Sequence, residues 1–374
     1  MLQLVARAAF RRPGSKYRVM FYPLQISNAY AYSVTRPHQA IAENSHLFVA
    51  ERGNVLVDPL PFDDATLGQI AELGGVSTVV VLTGDRSSHA QAIAARFGAA
   101  VVDRAEHYDG IGAGLTAIRL RDQHRAHEFA LHLTESQAVV AGETLAGAPA
   151  GALSMAADGE YTDVRKAALG LRRILRVNPE RLLVSRGQSV YAGAYHQLYT
   201  LLYAKAGAEV HRINVDELDF RDERDENTER AQQPQRYTCL DAEVGWAIGA
   251  RGLGYRVSTL PPGHRFCPLH GHAREEELFY VIDGEPSVRM LSGTIRCRKG
   301  DFVALPVGES GTHQLLNDSD APATVLLLAR TEEFESCYYP DSDKLLVDLP
   351  APLDGRSSVL VAAHPQLEYF HGES

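Results

Sequence analysis

The pattern of apolar positions divides the chain into two parts of different character. From about Leu47 to Val184, short β-branched runs such as Val55–Val57 and Thr78–Leu82 alternate with longer segments that have helical spacing. One of these segments is rich in alanine and ends at Phe97–Gly98. Strands that alternate with helices predict a layered α/β domain.

From Tyr255 to Ala329 the pattern changes to short runs with a period of two. Turn sequences interrupt these runs at Pro261-Pro262-Gly263, Asp283-Gly284, Lys299-Gly300-Asp301 and Asn317-Asp318. Several short strands separated by such turns indicate an antiparallel barrel or sandwich. The C-terminal part is therefore predicted to be an all-β domain.

A strongly charged segment separates the two patterns. Between about Val215 and Arg236 the chain carries almost no large apolar residue, so this segment is predicted to be an interdomain linker. The predicted organisation is a basic N-terminal extension (1–19), an α/β domain (20–215), a linker (216–240), a β domain (241–350) and a C-terminal tail (351–374).

Composition and charge narrow the function classes. The chain has 374 residues, 45% hydrophobic and 22% charged, as expected for two globular domains. A net charge of −10 without a basic stripe disfavours nucleic acid, and no apolar run reaches the roughly 18 residues of a membrane span. The four cysteines show no C-x-x-C pair, which favours reduced thiols in the cytoplasm.

Three potential metal ligands lie close together in the β domain. His270 and His272 are two residues apart, so both imidazoles leave the same face of a strand. On the next predicted strand, Glu277 shares a face with Phe279 and Val281. A carboxylate can therefore join the two histidines inside the domain.

These residues resemble the two motifs of the cupin family. The first motif is filled by Gly263, His270, His272, Glu277 and Gly284, with one extra residue before His270. The second is filled by Gly300, Pro306, Gly308, His313 and Asn317, with two extra residues before His313. The resemblance covers about residues 241–350. It implies a cupin β-barrel that holds one divalent transition metal, Zn, Fe, Mn or Ni, through His270, His272, Glu277 and His313.

Several neighbouring residues are further candidates for the site. Glu276 competes with Glu277 for the role of carboxylate ligand, but only Glu277 is separated from Gly284 by six residues, as the family motif requires. Glu276 is also expected on the opposite face of the strand. The side chains that could line a substrate pocket are Arg256, Tyr280 and Arg289.

The N-terminal part resembles the metallo-β-lactamase fold, which implies an αββα architecture. The resemblance covers about residues 20–215, with Asp58 ending the strand before the metal loop. Where the family has its metal-binding motif, this chain has Thr83-Gly84-Asp85-Arg86-Ser87-Ser88-His89, so only the last histidine remains. Glu143 takes the place of the bridging aspartate, and Arg186 that of a ligand histidine. Two cations at ligand positions would repel zinc, so the domain is predicted to be a degenerate, metal-free scaffold.

Two functions from different classes follow from these features. The first is a metal-dependent cupin enzyme, an isomerase, lyase or dioxygenase, that acts on a small polar metabolite in a homodimer. The second is a small-molecule-binding or regulatory cupin without catalysis. A catalytic set of Asp58, Asp85 and His89 in the N-terminal domain is a third and weaker alternative.

Overall fold

The structure of the protein is a computed structural model. It describes residues 20–35, 41–123, 127–155, 161–222, 233–332, 334–353, 356–365 and 371. The predicted basic extension at 1–19 lies outside the described residues, as do residues 223–232 of the predicted linker.

The chain divides into two compact units. The first ends at Leu171 and resumes at Pro179–Leu201, and the second comprises Arg172–Asn178 and the chain from Leu202 onward. No helix among the described residues is both long enough and apolar enough to cross a lipid bilayer.

The first unit is built from short strands and helices. Its strands are β1 (Tyr22–Pro23), β2 (Ala29–Val34), β3 (Glu43–Phe48), β4 (Val55–Val57), β5 (Thr78–Val80), β6 (Ala100–Val102), β7 (Gly110–Gly112), β8 (Leu115–Arg119), β9 (Phe129–Leu133), β10 (Ala138–Ala141), β11 (Leu145–Ala146), β12 (Ser154–Met155) and β13 (Arg181–Val184). Its helices are α1 (Asp64–Glu72), α2 (Ser87–Phe97) and α3 (Val164–Gly170). The helices α4 (Arg172–Leu175) and α5 (Ala194–Ala206) follow along the chain, α4 in the second unit and α5 across the unit boundary.

Two large sheets form the frame of the first unit. One has the order β1-β2-β3-β4-β5-β6, the other β13-β10-β9-β8-β7, and β11 pairs with β12 separately. Val57, Leu131 and Val140 belong to one core in which residues of both sheets meet, whereas Leu56 packs with Ile70 of α1 on the opposite face of the first sheet. Alternate residues of a strand point to opposite faces, so this sheet buries both faces.

The second unit is almost entirely β-structure. Its strands are β14 (Arg221–Asp222), β15 (Leu240–Glu243), β16 (Leu253–Leu260), β17 (Gly271–His272), β18 (Glu277–Asp283), β19 (Ser287–Met290), β20 (Gly293–Arg296), β21 (Phe302–Leu305), β22 (His313–Leu316), β23 (Ala323–Arg330), β24 (Ser336–Tyr339), β25 (Lys344–Leu353) and β26 (Arg356–Ala362), with the short helix α6 (Gly245–Ile248) after β15.

These strands form three sheets. The orders are β14-β15-β16-β23-β18-β21, β17-β24-β25-β26 and β20-β19-β22. Phe279, Val281 and Val325 of the first of these sheets share a core with Val288 and Leu315 of the third. The two-domain arrangement is confirmed, but the described pairings give three sheets rather than one closed barrel, so the closed barrel stays a prediction. An isolated bridge at His270–His313 joins the segment before β17 to β22.

The predicted domain limits stay a prediction, but two observations bear on them. Within the segment predicted as a linker, Leu218 is buried against the outer face of the sheet that contains β15 and β16. Asp219 binds Arg173 and Arg176 of the α4 segment, and all three side chains are nearly inaccessible to solvent. Ion pairing and a few apolar side chains thus order the start of this charged segment.

Candidate metal centre

The four predicted ligands lie at the ends of three strands of the second unit. His272 ends β17, Glu277 begins β18 and His313 begins β22. His270 stands just before β17 and exchanges two backbone hydrogen bonds with His313, of 3.0 and 2.8 Å. This bridge brings residues 43 positions apart in sequence side by side.

The alternation of β18 decides which glutamate faces inward. Phe279 and Val281 are 2% and 1% exposed and belong to the core, and Glu277 shares their face. Glu276 is exposed and precedes the strand on the other face. The carboxylate near the histidines is therefore that of Glu277, because a shift of one residue reverses the direction of the side chain.

The donor atoms of the four side chains converge. His270 Nε2 lies 3.0 Å from His272 Nε2. Glu277 Oε2 lies 3.4 Å from His272 Nε2 and 3.0 Å from His313 Nε2. His313 is almost fully buried, and the ring of Phe279 contacts its imidazole edge to face.

Backbone carbonyls fix which ring nitrogen of two histidines carries the proton. Nδ1 of His270 lies 3.0 Å from the carbonyl oxygen of Pro268, and Nδ1 of His313 lies 2.9 Å from that of Gly311. A carbonyl oxygen only accepts, so each Nδ1 must donate. The Nε2 lone pairs are thereby left to face the convergence point, as in histidines that bind metals.

The carboxylate of Glu277 and the imidazole of His272 are electrostatically coupled. Burial by itself acts to raise the pKa of Glu277, but the imidazoles of His272 and His313 outweigh it and hold this pKa well below its usual range. Burial acts to lower the pKa of His272, but contacts with Cys337 and Glu277 raise it to about 10. Glu277 therefore provides a fixed negative charge, and an incoming cation would displace a proton from His272.

The spacing of the donors fits a bound divalent ion. Donor atoms about 2.1 Å from one metal are separated by about 3.0 Å at right angles and about 3.4 Å at the tetrahedral angle. The observed separations are 3.0, 3.4 and 3.0 Å. In addition, Glu277 Oε2 is buried, and the Nε2 atoms of His272 and His313 lie beside it. A cation at this point would contact the carboxylate oxygen and both imidazole nitrogens.

The corresponding region of the first unit is filled by protein groups. Asp58 is fully buried and accepts hydrogen bonds from the amides of Leu82 and Thr83, from the Thr83 hydroxyl at 2.7 Å and from the Ser185 hydroxyl. All of these partners are donors within the domain, so the carboxylate is engaged in holding the 82–83 turn.

Arg86 occupies the interior beside Asp58. Its guanidinium is 2% exposed and donates to the carbonyl oxygens of Asp58 and Asn44 at 2.8 and 3.2 Å. Arg186 pairs with the exposed Asp85 at 2.9 Å. Among the described residues, groups of three metal-binding side chains occur only in the second unit.

Comparison with known protein families gives one match in each of the two parts of the chain. Residues 22–204 match the metallo-beta-lactamase superfamily, and residues 256–329 match the cupin domain. The chain joins a metallo-beta-lactamase superfamily domain to a cupin domain. No curated protein matches it.

Several solved structures similar to this chain are named as cupin proteins. A sugar phosphate isomerase of the cupin superfamily from Silicibacter pomeroyi DSS-3 is 24% identical, covers 42% of this chain and 97% of its own, and has a TM-score of 0.35. A cupin protein from Bacteroides fragilis is 21% identical over 24% of this chain and 75% of its own, at a TM-score of 0.23. A predicted oxalate decarboxylase from Thermotoga maritima is 18% identical over 32% of this chain and 99% of its own, at 0.27.

The structure separates the other sequence candidates of the cupin domain from the four donors. Arg289 makes two short contacts with Asp341, of 2.6 and 2.9 Å. Arg256 lies 3.6 Å from the buried Asp241. Tyr280 lies on the face of β18 opposite to that of Glu277, and its ring packs against that of Phe302. The two arginines thus contact carboxylates outside the donor set, and Tyr280 lies on the other face of the strand.

Sequence reasoning missed a second layer behind the histidines. Glu335 and Cys337 form a group with His272 in which all donor atoms lie within 4.8 Å of one another. They belong to the segment around β24, more than sixty residues along the chain from His272. The alternation of Glu335, Cys337 and Tyr339 was the available signal, because it places the three residues on one face of a strand.

Proposed function

We propose that the cupin domain binds one divalent transition metal ion through His270, His272, Glu277 and His313. The domain would use this ion to act on a small polar metabolite as an isomerase, lyase or dioxygenase. The observation that carries the proposal is the convergence of three imidazole nitrogens and one carboxylate oxygen at ligand spacing. The metallo-beta-lactamase superfamily domain would serve as a non-catalytic scaffold, because Arg86 fills its interior.

Four protein donors leave room for further ligands on a metal that prefers six. The bound ion would supply Lewis-acid chemistry to a substrate oxygen. Glu277 would offset the charge of the ion, and the Nδ1 contacts of His270 and His313 would hold their rings in the binding orientation. Iron, manganese, nickel and zinc all accept this donor set.

The first experiment measures the metal content of the full chain purified without added metal, followed by titration of the metal-free protein with Zn²⁺ and Mn²⁺. The expected result is about one ion per chain, lost when His270, His272 and His313 are replaced by alanine together. Two ions per chain, or one ion retained by the triple variant, would contradict the proposal.

The second experiment addresses the reaction class. Candidate polar metabolites are screened with the loaded protein in air and under anaerobic conditions. Oxygen uptake with bound iron would identify a dioxygenase, whereas turnover without oxygen would identify an isomerase or lyase. Binding of a metabolite without turnover would favour the alternative function, a small-molecule-binding or regulatory cupin without catalysis.

Two expectations about the whole protein accompany this proposal. A cytoplasmic location is supported by the four cysteines, none of which forms a disulfide bond among the described residues. The homodimer stays a prediction, and sedimentation equilibrium of the full chain checks it.

A further inference from the structure

Side chains on one face of β24, and of the residue just before it, contact the segment 270–277, which carries three of the proposed metal ligands. This strand pairs antiparallel with β17, with Cys337 opposite His272. Glu335 and Cys337 are 7% and 6% exposed, whereas Tyr338, on the other face, is 40% exposed. Residues directly opposite each other in a pair of strands share a face, so Cys337 lies on the face of His272. Tyr339, and Glu335 just before the strand, alternate with Cys337 and lie on that face as well.

Glu335 binds the backbone between the second and third ligands. Its carboxylate accepts from the amides of Ala273 at 2.9 Å, Arg274 at 3.1 Å and Glu275 at 2.6 Å. It also accepts from the amide of Ser336 at 2.6 Å. Three successive N–H groups directed at one carboxylate fix the turn that separates His272 from Glu277.

The other two side chains contact the histidines themselves. Cys337 Sγ lies 3.3 Å from His272 Nδ1, the ring nitrogen that faces away from the convergence point. The ring of Tyr339 stacks on His270, with centroids 5.8 Å apart and planes inclined by 22°. Each member of this face thus contacts a different part of the segment 270–277.

We infer that Glu335, Cys337 and Tyr339 are positioning residues of the metal centre. This inference rests on the proposed function. The same residues do not form a second metal site, because both oxygens of Glu335 are engaged by backbone amides and the Nε2 of His272 faces the first site. Partners of metal ligands typically contribute a factor of about 10 to 100 in metal affinity.

The test titrates the metal-free full chain and its variants with Co²⁺, and records affinity, stoichiometry and the visible absorption of the bound ion. Glu335→Gln places an amide donor against backbone donors, and Cys337→Ala removes the contact to His272. Both are expected to lower Co²⁺ affinity by about 10- to 100-fold and to shift the absorption bands. Tyr339→Leu should behave likewise, and Tyr339→Phe should restore both readouts.

Tyr338→Phe is the matched control on the opposite face, where its hydroxyl donates to Asp343 at 3.1 Å, and it should resemble the wild type. Thermal unfolding of each metal-free variant separates loss of fold from loss of positioning. Wild-type affinity and unchanged bands in Glu335→Gln, Cys337→Ala and Tyr339→Leu would overturn the inference while leaving the metal centre intact. Two Co²⁺ ions per chain would also overturn it. If the wild-type chain takes up no Co²⁺, the proposed function itself fails.

Discussion

Glu243 makes the stability of the cupin domain depend on pH in a direction opposite to that of most carboxylates. It lies on β15, and its carboxylate accepts from the amide of Trp246 at 3.0 Å. Burial raises the pKa of Glu243 to about 7 from 4.5, although Trp246, Arg176 and Arg256 act to lower it. Between about pH 4.5 and 7 the unfolded chain has therefore lost a proton that the folded chain still holds.

The free energy of unfolding should consequently fall as the pH rises through this window. The shift of the Glu243 pKa from 4.5 to about 7 corresponds to a contribution of roughly 3 kcal/mol to the free energy of unfolding. This contribution is fully lost above pH 7. Glu243→Gln keeps an acceptor for Trp246 but cannot ionise. The variant should match the wild type near pH 4.5 and exceed its stability by up to about 3 kcal/mol at pH 8.

Trp246 is the only tryptophan of the chain and lies beside Glu243, so its fluorescence reports unfolding of this domain. Urea transitions are measured from pH 4.5 to 8 for the wild type, Glu243→Gln and the control Glu285→Gln at an exposed position. A wild-type stability that rises through this range relative to Glu243→Gln, or the same pH slope in both proteins, would refute the reasoning.

Three further predictions follow from individual contacts. Asp219→Asn should destabilise the cupin domain by about 3 kcal/mol in urea unfolding, because it removes the negative charge beside the buried Arg173 and Arg176. A loss of stability below about 1 kcal/mol would contradict this prediction. Phe279→Ala should cost about 3 to 5 kcal/mol in the metal-free protein, since the ring is 2% exposed. The third prediction uses a chain carrying His313→Ala. In this chain, zinc should bind to the metallo-beta-lactamase superfamily domain only after four further substitutions are made together: Gly84→His, Arg86→His, Arg186→His and Ser88→Asp. Zinc retained without them would show that the degenerate site still functions.

The period-two pattern was sufficient to predict the inner face of β18. Glu277, Phe279 and Val281 share that face as expected, because alternation is a local property of a strand. The strand Val55–Val57 and the helix end at Gly98, where φ is 69°, were also predictable from local signals. Glycine tolerates this left-handed conformation without a steric penalty.

Contacts between residues far apart in the sequence could not be predicted from local patterns. In β3, Glu43, Asn44, Ser45 and His46 are all buried, although four polar residues in succession would suggest an exposed segment. They are buried because the strand lies in the middle of the first sheet, where burial lowers the pKa of His46 to about 3. Likewise, no periodicity links Asp219 to arginines more than forty residues earlier in the chain. Local patterns in the sequence therefore predict the four candidate ligands but not the residues that contact them.

The central claim, that Glu277 completes a metal centre with His270, His272 and His313, is tested most directly by comparing adjacent glutamates. Metal content and affinity are measured for Glu277→Gln and Glu276→Gln, with His313→Ala as the reference for loss. Glu277→Gln keeps the shape but removes the charge beside His272 and His313, so metal should be lost, whereas Glu276→Gln, at an exposed position, should stay loaded. A metal-replete Glu277→Gln together with a metal-depleted Glu276→Gln would contradict the site and reverse the assignment of the strand's two faces.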